Sequence, residues 1–332
     1  MENEIGIGFV GLGNMGNLMA GCILQSGYDL TIHDIRRDAG RNLEDQGAIW
    51  AENPREVAVR SDVVLTSLPG PKEVESVVLG KNGLFAGLDG GNGYIDTSTN
   101  APGTMRKIGE IGASRGFHVL DAPVSGGIFG AEKAALTVFV GGAREDFERY
   151  RPLLGAIGAK VIYMGTAGCG NITKLVNNTM MFINFLGACE GMAMGFKAGI
   201  DPQTLLDAVH PSMGQSIIME RVMGLWLKGK EMASTADLAL KDIHLGVELG
   251  NEMGIPLEIT PLVEAMVKRF DDDGRRSRDD MIAYVQDVME RSGLGELVNR
   301  DQVVDAMEAS QSAAVRNRTA LVAPFEGTPR PL

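Results

Sequence analysis

The 332-residue chain has little of what most often carries metal and hydrolytic chemistry. Its 4 histidines are His33, His118, His210 and His244. None stands in a recognisable arrangement with Ser or Asp, which sets aside a Ser-His-Asp hydrolase and a histidine-based dehydrogenase. The 3 cysteines, Cys22, Cys169 and Cys189, are odd in number and lack ligand spacing. No metal site is therefore expected, and a reduced, cytoplasmic setting is. Positive charge is also short, with 31 Lys+Arg against 43 Asp+Glu and a net charge of −12. That balance argues against nucleic acid and anionic membranes as partners, while a local lysine or backbone site can still hold a small anion. No stretch reaches the about 20 unbroken apolar residues of a membrane helix. The N-terminus lacks the basic-then-apolar layout of a secretory leader.

What the chain does have is concentrated at its start. The apolar run Ile5-Gly6-Ile7-Gly8-Phe9-Val10 ends in Gly11-Leu12-Gly13-Asn14-Met15-Gly16, and a helical stretch follows. A second apolar run, Tyr28 to His33, closes at Asp34. Strand, G-x-G-x-x-G, helix, strand and acid in that order describe a dinucleotide-binding βαβ unit. Gly11 would allow the tight turn, Gly13 a close phosphate and Gly16 close helix packing. The helix N-terminus would offer free N–H groups and partial positive charge to the phosphates. Asp34 at the strand end suits ribose hydroxyls and repels a 2′-phosphate, which favours NAD over NADP. Arg36 and Arg37 follow at once and could grip that phosphate, or simply be surface charge.

Up to residue 165, β-type runs at 5–10, 29–34, 62–68, 93–97, 117–121, 135–141 and 160–163 alternate with helical stretches. The latter lie near 14–26, 36–46, 54–60, 71–79, 101–115 and 144–154, with Asn53-Pro54 a helix start. Alternating units predict a mostly parallel sheet covered on both faces. After Gly170 helical patterns take over, at 171–198, 202–209, 215–228, 235–253 and 258–271. The expected fold is thus α/β, an N-terminal Rossmann dinucleotide-binding domain followed by an all-α C-terminal domain. The expected boundaries are 1–165 for the first domain and 166–298 for the second, with 299–332 a C-terminal extension. The helix 171–198, apolar on most faces and rich in small residues, suits an interdomain or subunit contact and suggests a homodimer or homotetramer. Phe270 to Asp280 reads as a solvated loop and 323–332 as an extended tail.

Three further segments could carry chemistry. Asp121-Ala122-Pro123-Val124-Ser125-Gly126-Gly127 runs from a strand end into a turn. Its hydroxyl and open backbone N–H groups could seat a carboxylate, or it could be a turn alone. Lys174 and Asn178 are four apart and share a helix face. A lysine desolvated there would have a depressed pKa and could exchange a proton with a carbonyl or hydroxyl; a lysine snorkelling from a helix start is the plainer alternative. Lys241-Asp242 lies within an apolar helix, as a site pair or as a partly buried ion pair.

Taken in order, Gly8-Phe9-Val10-Gly11-Leu12-Gly13-Asn14-Met15-Gly16, Asp121 to Gly127, Gly168-x-Gly170-x-x-x-Lys174-x-x-x-Asn178 and Lys241-Asp242 resemble the β-hydroxyacid dehydrogenases. This is the group of 3-hydroxyisobutyrate dehydrogenase and tartronate semialdehyde reductase, and the likeness spans roughly residues 5–295. The resemblance implies hydride transfer between NAD and a small, carboxylate-bearing 3-hydroxy acid or its semialdehyde, with Lys174 as acid/base. It implies that Ser125, Gly126, Gly127 and Asn178 hold the substrate. Beside Gly11, Leu12, Gly13, Asn14, Met15, Gly16 and Asp34, it implies cofactor contacts at Leu68, Pro69, Thr99, Asn100 and Lys241. Two departures stand out. Ser234 occupies a position where relatives carry a pocket aromatic, and the chain runs about 30 residues past the family's usual end. A 6-phosphogluconate-dehydrogenase-like decarboxylase would have a histidine where Asn177 stands. A non-catalytic NAD-binding module would have lost Lys174 and gained basic segments. Imine reductases usually replace the lysine.

Overall fold

The computed structural model of the chain describes residues 3–230, 232, 235–272 and 281–295. Its strands are β1 (Asn3–Val10), β2 (Tyr28–His33), β3 (Ile49–Trp50), β4 (Val63–Thr66), β5 (Gly93–Asp96), β6 (His118–Asp121), β7 (Val124–Ser125), β8 (Thr137–Gly142) and β9 (Lys160–Gly165). Between and around them run α1 (Asn14–Gln25), α2 (Arg41–Glu44), α3 (Pro54–Val59), α4 (Pro71–Leu79), α5 (Pro102–Ser114), α6 (Gly127–Glu132) and α7 (Arg144–Gly155). After β9 the elements are helical: α8 (Cys169–Lys197), α9 (Pro202–Val209), α10 (Ile217–Leu227), α11 (Ala236–Glu252), α12 (Thr260–Asp272) and α13 (Ile282–Arg291).

The strands form one sheet in the order β3-β2-β1-β4-β5-β6-β8-β7, with β9 on β8. From β3 to β6 all pairs are parallel, with Phe9 opposite Ile32 and Leu65. That half has the strand order of a dinucleotide-binding sheet. β8 runs antiparallel to β6 and β7 and parallel to β9. The strand sequences explain the layering. Side chains alternate between faces, and here both faces are covered, so the runs are nearly all apolar. Ile7 and Phe9 of β1 join Met19 and Ile23 of α1 on one side. Val10 joins Val57 of α3 and Val74 of α4 on the other. The same split recurs at Val63 and Leu65 against Val64, and at Ile95 against Tyr94. Each fully buried residue of this kind contributes about 1.5–3 kcal/mol.

The Asn53-Pro54 start is found, with Asn53 Oδ1 accepting from Glu56 N at 3.0 Å. The stretch expected as a helix over 36–46 differs: it is a 3₁₀ turn, Arg37–Gly40, followed by the single turn of α2. Gly40 sits against Trp50, where a Cβ would stand 2.9 Å from the indole ring, and a glycine mid-segment weakens helix. The two-residue strands β3 and β7, and α6, are additions too short for periodicity to reveal. Helix α12 continues to Asp272, so Phe270 is a buried helical residue and not the start of a loop. Residues 273–280, Ser234 and the extension 299–332 lie outside the described residues. No described helix is long and apolar enough to cross a membrane.

By compactness the chain forms two units. The first holds residues up to Phe182 together with Asp237–Arg269, and the second holds Ile183–Ala236 and the described residues from Phe270 onward. In the first, α11 packs on the early turns of α8: Leu245 and Leu249 cluster with Leu175 and Ile172. Gly246 lets the helices touch, since a Cβ there would be 2.7 Å from Thr179 Oγ1. In the second, Phe196 stacks on Trp226, whose Nε1 donates to Gln286 at 2.9 Å.

Candidate active site

The turn from β1 into α1 has the backbone the motif requires. Gly11 has φ +94°, and a Cβ there would stand 2.3 Å from Ser67 O. Gly16 is tighter, since its Cβ would be 1.9 Å from Gly11 O. At Gly13 a Cβ would meet nothing within 4 Å, and no side chain caps α1 there. Two of the glycines are thus demanded by packing, while the third faces open space at a helix N-terminus, a place whose free N–H groups suit an anion. Asn14 is exposed and Met15 half-buried beside it.

Asp34 holds this turn to the end of β2. Its Oδ2 accepts from Leu12 N at 2.7 Å and its Oδ1 from Arg36 N at 2.8 Å. The carboxylate is thereby fixed next to the glycine turn. Arg37 is committed elsewhere, with Nη2 donating to Glu44 Oε1 at 2.9 Å and the guanidinium 4.3 Å from the Trp50 ring centre. Arg36 is exposed and its Nε lies 3.7 Å from Asp34 Oδ1.

The ends of β4 and β5 carry the next candidates. Leu68 N donates to Ser98 Oγ at 2.9 Å, and exposed Pro69 follows. Thr99 is half-buried, and its carbonyl accepts from Lys241 Nζ at 2.8 Å. Asn100 is fully buried. Its Nδ2 donates to Asp96 Oδ2 at 3.1 Å, its Oδ1 accepts from Ala101 N at 2.8 Å, and its N donates to Asn171 Oδ1 at 2.7 Å. Its side chain therefore holds the turn from within.

Lys174 and Asn178 lie on α8 and face α11. Asn178 Nδ2 donates to Asp242 Oδ2 at 2.7 Å. Asp242 Oδ1 is buried and lies 2.7 Å from Lys241 Nζ. Among the described residues no hydrogen-bond partner meets Lys174 Nζ. Burial holds its ammonium below the usual lysine range; the Asp242 carboxylate opposes that shift and the Lys241 ammonium adds to it. Ser125 on β7 is half-buried. Gly126 (φ +138°) and Gly127 (φ +64°) start α6 in conformations that favour glycine. No hydrogen bond joins Ser125 to Lys174 or Asn178 among the described residues.

Asp121 and Asn171 were absent from the sequence-based site. Asp121 Oδ1 accepts from Gly168 N at 2.7 Å and its Oδ2 from Asn171 N at 2.8 Å. The faint signal was Gly168-x-Gly170 before a helix. A Cβ on Gly170 would stand 2.4 Å from Phe139 O and 2.9 Å from Asp121 Oδ2.

Two family models cover the chain in succession. Residues 6–165 match the NAD binding domain of 6-phosphogluconate dehydrogenase. Residues 168–286 match the NAD-binding domain of NADP-dependent 3-hydroxyisobutyrate dehydrogenase. The 2-(hydroxymethyl)glutarate dehydrogenase of Eubacterium barkeri is 35% identical over 291 residues, 86% of this chain and 95% of that protein. A solved structure described as Psf3 in complex with NADP+ and 2-OPP superposes with a TM-score of 0.78 at 27% identity, over 84% of this chain and 99% of that one. Mycobacterium tuberculosis 3-hydroxyisobutyrate dehydrogenase, solved with L-serine, gives 0.76 at 25% identity, over 86% of this chain and 99% of that one. The fold and the glycine turn define a Rossmann-type dinucleotide-binding oxidoreductase. The chain belongs to the β-hydroxyacid dehydrogenase family, the NAD(P)-dependent oxidoreductases of small hydroxy acids. Neither the decarboxylating nor the non-catalytic alternative is favoured.

Proposed function

We propose that the chain oxidises a small 3-hydroxy acid, or reduces the matching semialdehyde, with Lys174 as general base or acid. The observation that carries this is Lys174 itself: half-buried, without a hydrogen-bond partner among the described residues, and held below the usual lysine range by burial, with Asp242 opposing that shift and Lys241 adding to it. When bound, NAD takes up or gives the hydride. Gly11, Leu12, Gly13, Asn14, Met15 and Gly16 would hold its pyrophosphate and Asp34 its ribose. Leu68 and Pro69 would line the nicotinamide side, with the turn at Thr99 and Asn100 and with Lys241 as further cofactor contacts.

Ser125 and the N–H groups of Gly126 and Gly127 would seat the substrate carboxylate, with Asn178 oriented by Asp242 toward the reacting hydroxyl. Neutral Lys174 accepts the hydroxyl proton during oxidation, and its ammonium returns one to the carbonyl oxygen during reduction. Such help supplies roughly 10²- to 10⁴-fold in rate. The division into a cofactor domain, 1–165, and a substrate domain, 166–298, is supported by the sheet ending at Gly165 and by the two matched segments. NAD is favoured over NADP because Asp34 stands at the ribose position while Arg37 is held by Glu44. A cytoplasmic homodimer or homotetramer completes the proposal, to be checked by light scattering.

The test is absorbance at 340 nm with NAD and NADP over 3-hydroxyisobutyrate, 2-(hydroxymethyl)glutarate and D-glycerate. Turnover of at least one acid, with NAD preferred, is expected. Lys174→Ala should lose about 10²-fold or more in kcat while still binding NAD. Retention of activity within about tenfold would remove Lys174 from this role.

A further inference from the structure

We propose that Asp121 is a positioning residue that sets where Lys174 stands by clamping the first turn of α8. It sits at the end of β6, opposite Asp96 of β5, and is buried. Both its oxygens are spent on the helix start: Oδ1 on Gly168 N and Oδ2 on Asn171 N. A buried carboxylate survives only where donors replace water, and here the donors are the orphan N–H groups that every helix N-terminus presents. Burial raises the Asp121 carboxyl, and those two amides pull it back. Glycines beside it leave room for the carboxylate. A Cβ on Gly141 would stand 2.4 Å from Asp121 Oδ1, and one on Gly170 would stand 2.9 Å from Oδ2.

The clamp has a second arm. Asn171 Oδ1 accepts from Asn100 N at 2.7 Å, and Asn100 Nδ2 reaches Asp96 Oδ2 at 3.1 Å. Asp96 is held in turn by Thr66 Oγ1 at 2.8 Å. This chain ties the Thr97–Asn100 turn, proposed to contact the cofactor, to the helix that carries Lys174. Lys174 lies three residues, just under one turn, beyond Asn171, on a helix whose start is fixed by the strand that leads into Ser125. One carboxylate therefore registers the proton-handling group against both the substrate turn and the cofactor turn. The inference rests on the assignment of Lys174 made above.

Asp121→Asn keeps the shape but leaves one acceptor for two N–H groups, so one amide of the helix start meets an NH₂ group. A displacement on the ångström scale costs on the order of 10²-fold in rate. The experiment compares Asp121→Asn, Asn171→Ala, Lys174→Ala and the double variant Asp121→Asn/Lys174→Ala in the full chain. The substrate is whichever of the three acids above the wild-type chain turns over. Thermal melts and NAD titration accompany the kinetics. Asp121→Asn is expected to lower kcat about 10²-fold and Asn171→Ala about tenfold, with KM and NAD affinity within about threefold. The double variant is expected to be no worse than Lys174→Ala alone within about threefold, because groups acting through one another are not additive. Additive losses, or wild-type kcat in both single clamp variants, would overturn the proposal while leaving Lys174 in place. An active Lys174→Ala would overturn both, and is read from that variant alone. If Asp121→Asn does not fold, Asn171→Ala and its double with Lys174→Ala carry the same comparison.

Discussion

Two glycine-rich helix starts stand in the first unit, and they differ in what faces them. The start of α1, Gly11-x-Gly13-x-x-Gly16, has no side-chain cap, and nothing lies within 4 Å of a Cβ on Gly13. The start of α8, Gly168-x-Gly170, is filled by Asp121, whose carboxylate takes the amides of Gly168 and Asn171. In sequence the two look alike. Physically, both present orphan N–H groups and a partial positive charge. The first leaves the space beside Gly13 open, and the second satisfies its amides with an internal carboxylate.

Substitution of the glycines breaks this comparison most forcefully. Gly16→Ala and Gly170→Ala each push a Cβ into backbone, 1.9 Å from Gly11 O and 2.4 Å from Phe139 O. Overpacking of that kind costs about 1–3 kcal/mol and sometimes more. Both variants should therefore melt several degrees lower, at about 2–4 °C per kcal/mol for domains of this size. Gly13→Ala should differ in kind, melting within about 1 °C of wild type. Its cost should fall on the cofactor, with NAD affinity down about tenfold or more because the methyl stands where backbone must approach phosphate. A Gly13→Ala variant that binds NAD normally would show that the open space there is not the phosphate seat.

Asp34 and Arg37 provide a smaller test of the open end. Glu44→Gln releases Arg37 from the ion pair that holds it beside Trp50. If that restraint favours NAD, the NADP/NAD ratio of kcat/KM should rise by a factor of about 2–5, the scale of a surface ion pair. Thermal stability should barely move. An unchanged ratio would leave Asp34 alone as the basis of the preference.

The open end was legible in the sequence and the filled end was not. Gly11, Gly13, Gly16 and Asp34 lie within one βαβ unit, so their roles follow from local spacing. The alternating apolar runs likewise reported the sheet, since both faces of β1, β4 and β5 are buried. Asp121 reaches Gly168 and Asn171 across 47 and 50 residues, and Asn171 reaches Asn100 across 71. No periodicity encodes such pairings; they arise only when β5, β6 and α8 are brought together. Asn100 illustrates the consequence: expected as a cofactor contact, it has a buried side chain spent on holding its own turn. The broken segment over 36–46 has a similar origin, since Gly40 answers to Trp50 and Ile32 and not to its helical neighbours.

The subtlest test separates the two charges beside Lys174. Asp242 raises its pKa and Lys241 lowers it, both against a background of burial that lowers it further. If Lys174 must be neutral to accept a proton, kcat/KM for oxidation rises with pH through its pKa. Asp242→Asn removes the opposing charge, so the pKa falls and the rise moves to lower pH. Lys241→Gln removes the like charge, so the pKa climbs and the rise moves to higher pH, while glutamine can still donate to Thr99 O. Reduction, which needs the ammonium, should show the mirror-image profile, falling where oxidation rises. A common structural disturbance would lower both rates without separating the profiles. Opposite displacements in the two variants would show that the titrating group feels both charges, as Lys174 does, and a shift of both in one direction would exclude Lys174 as that group.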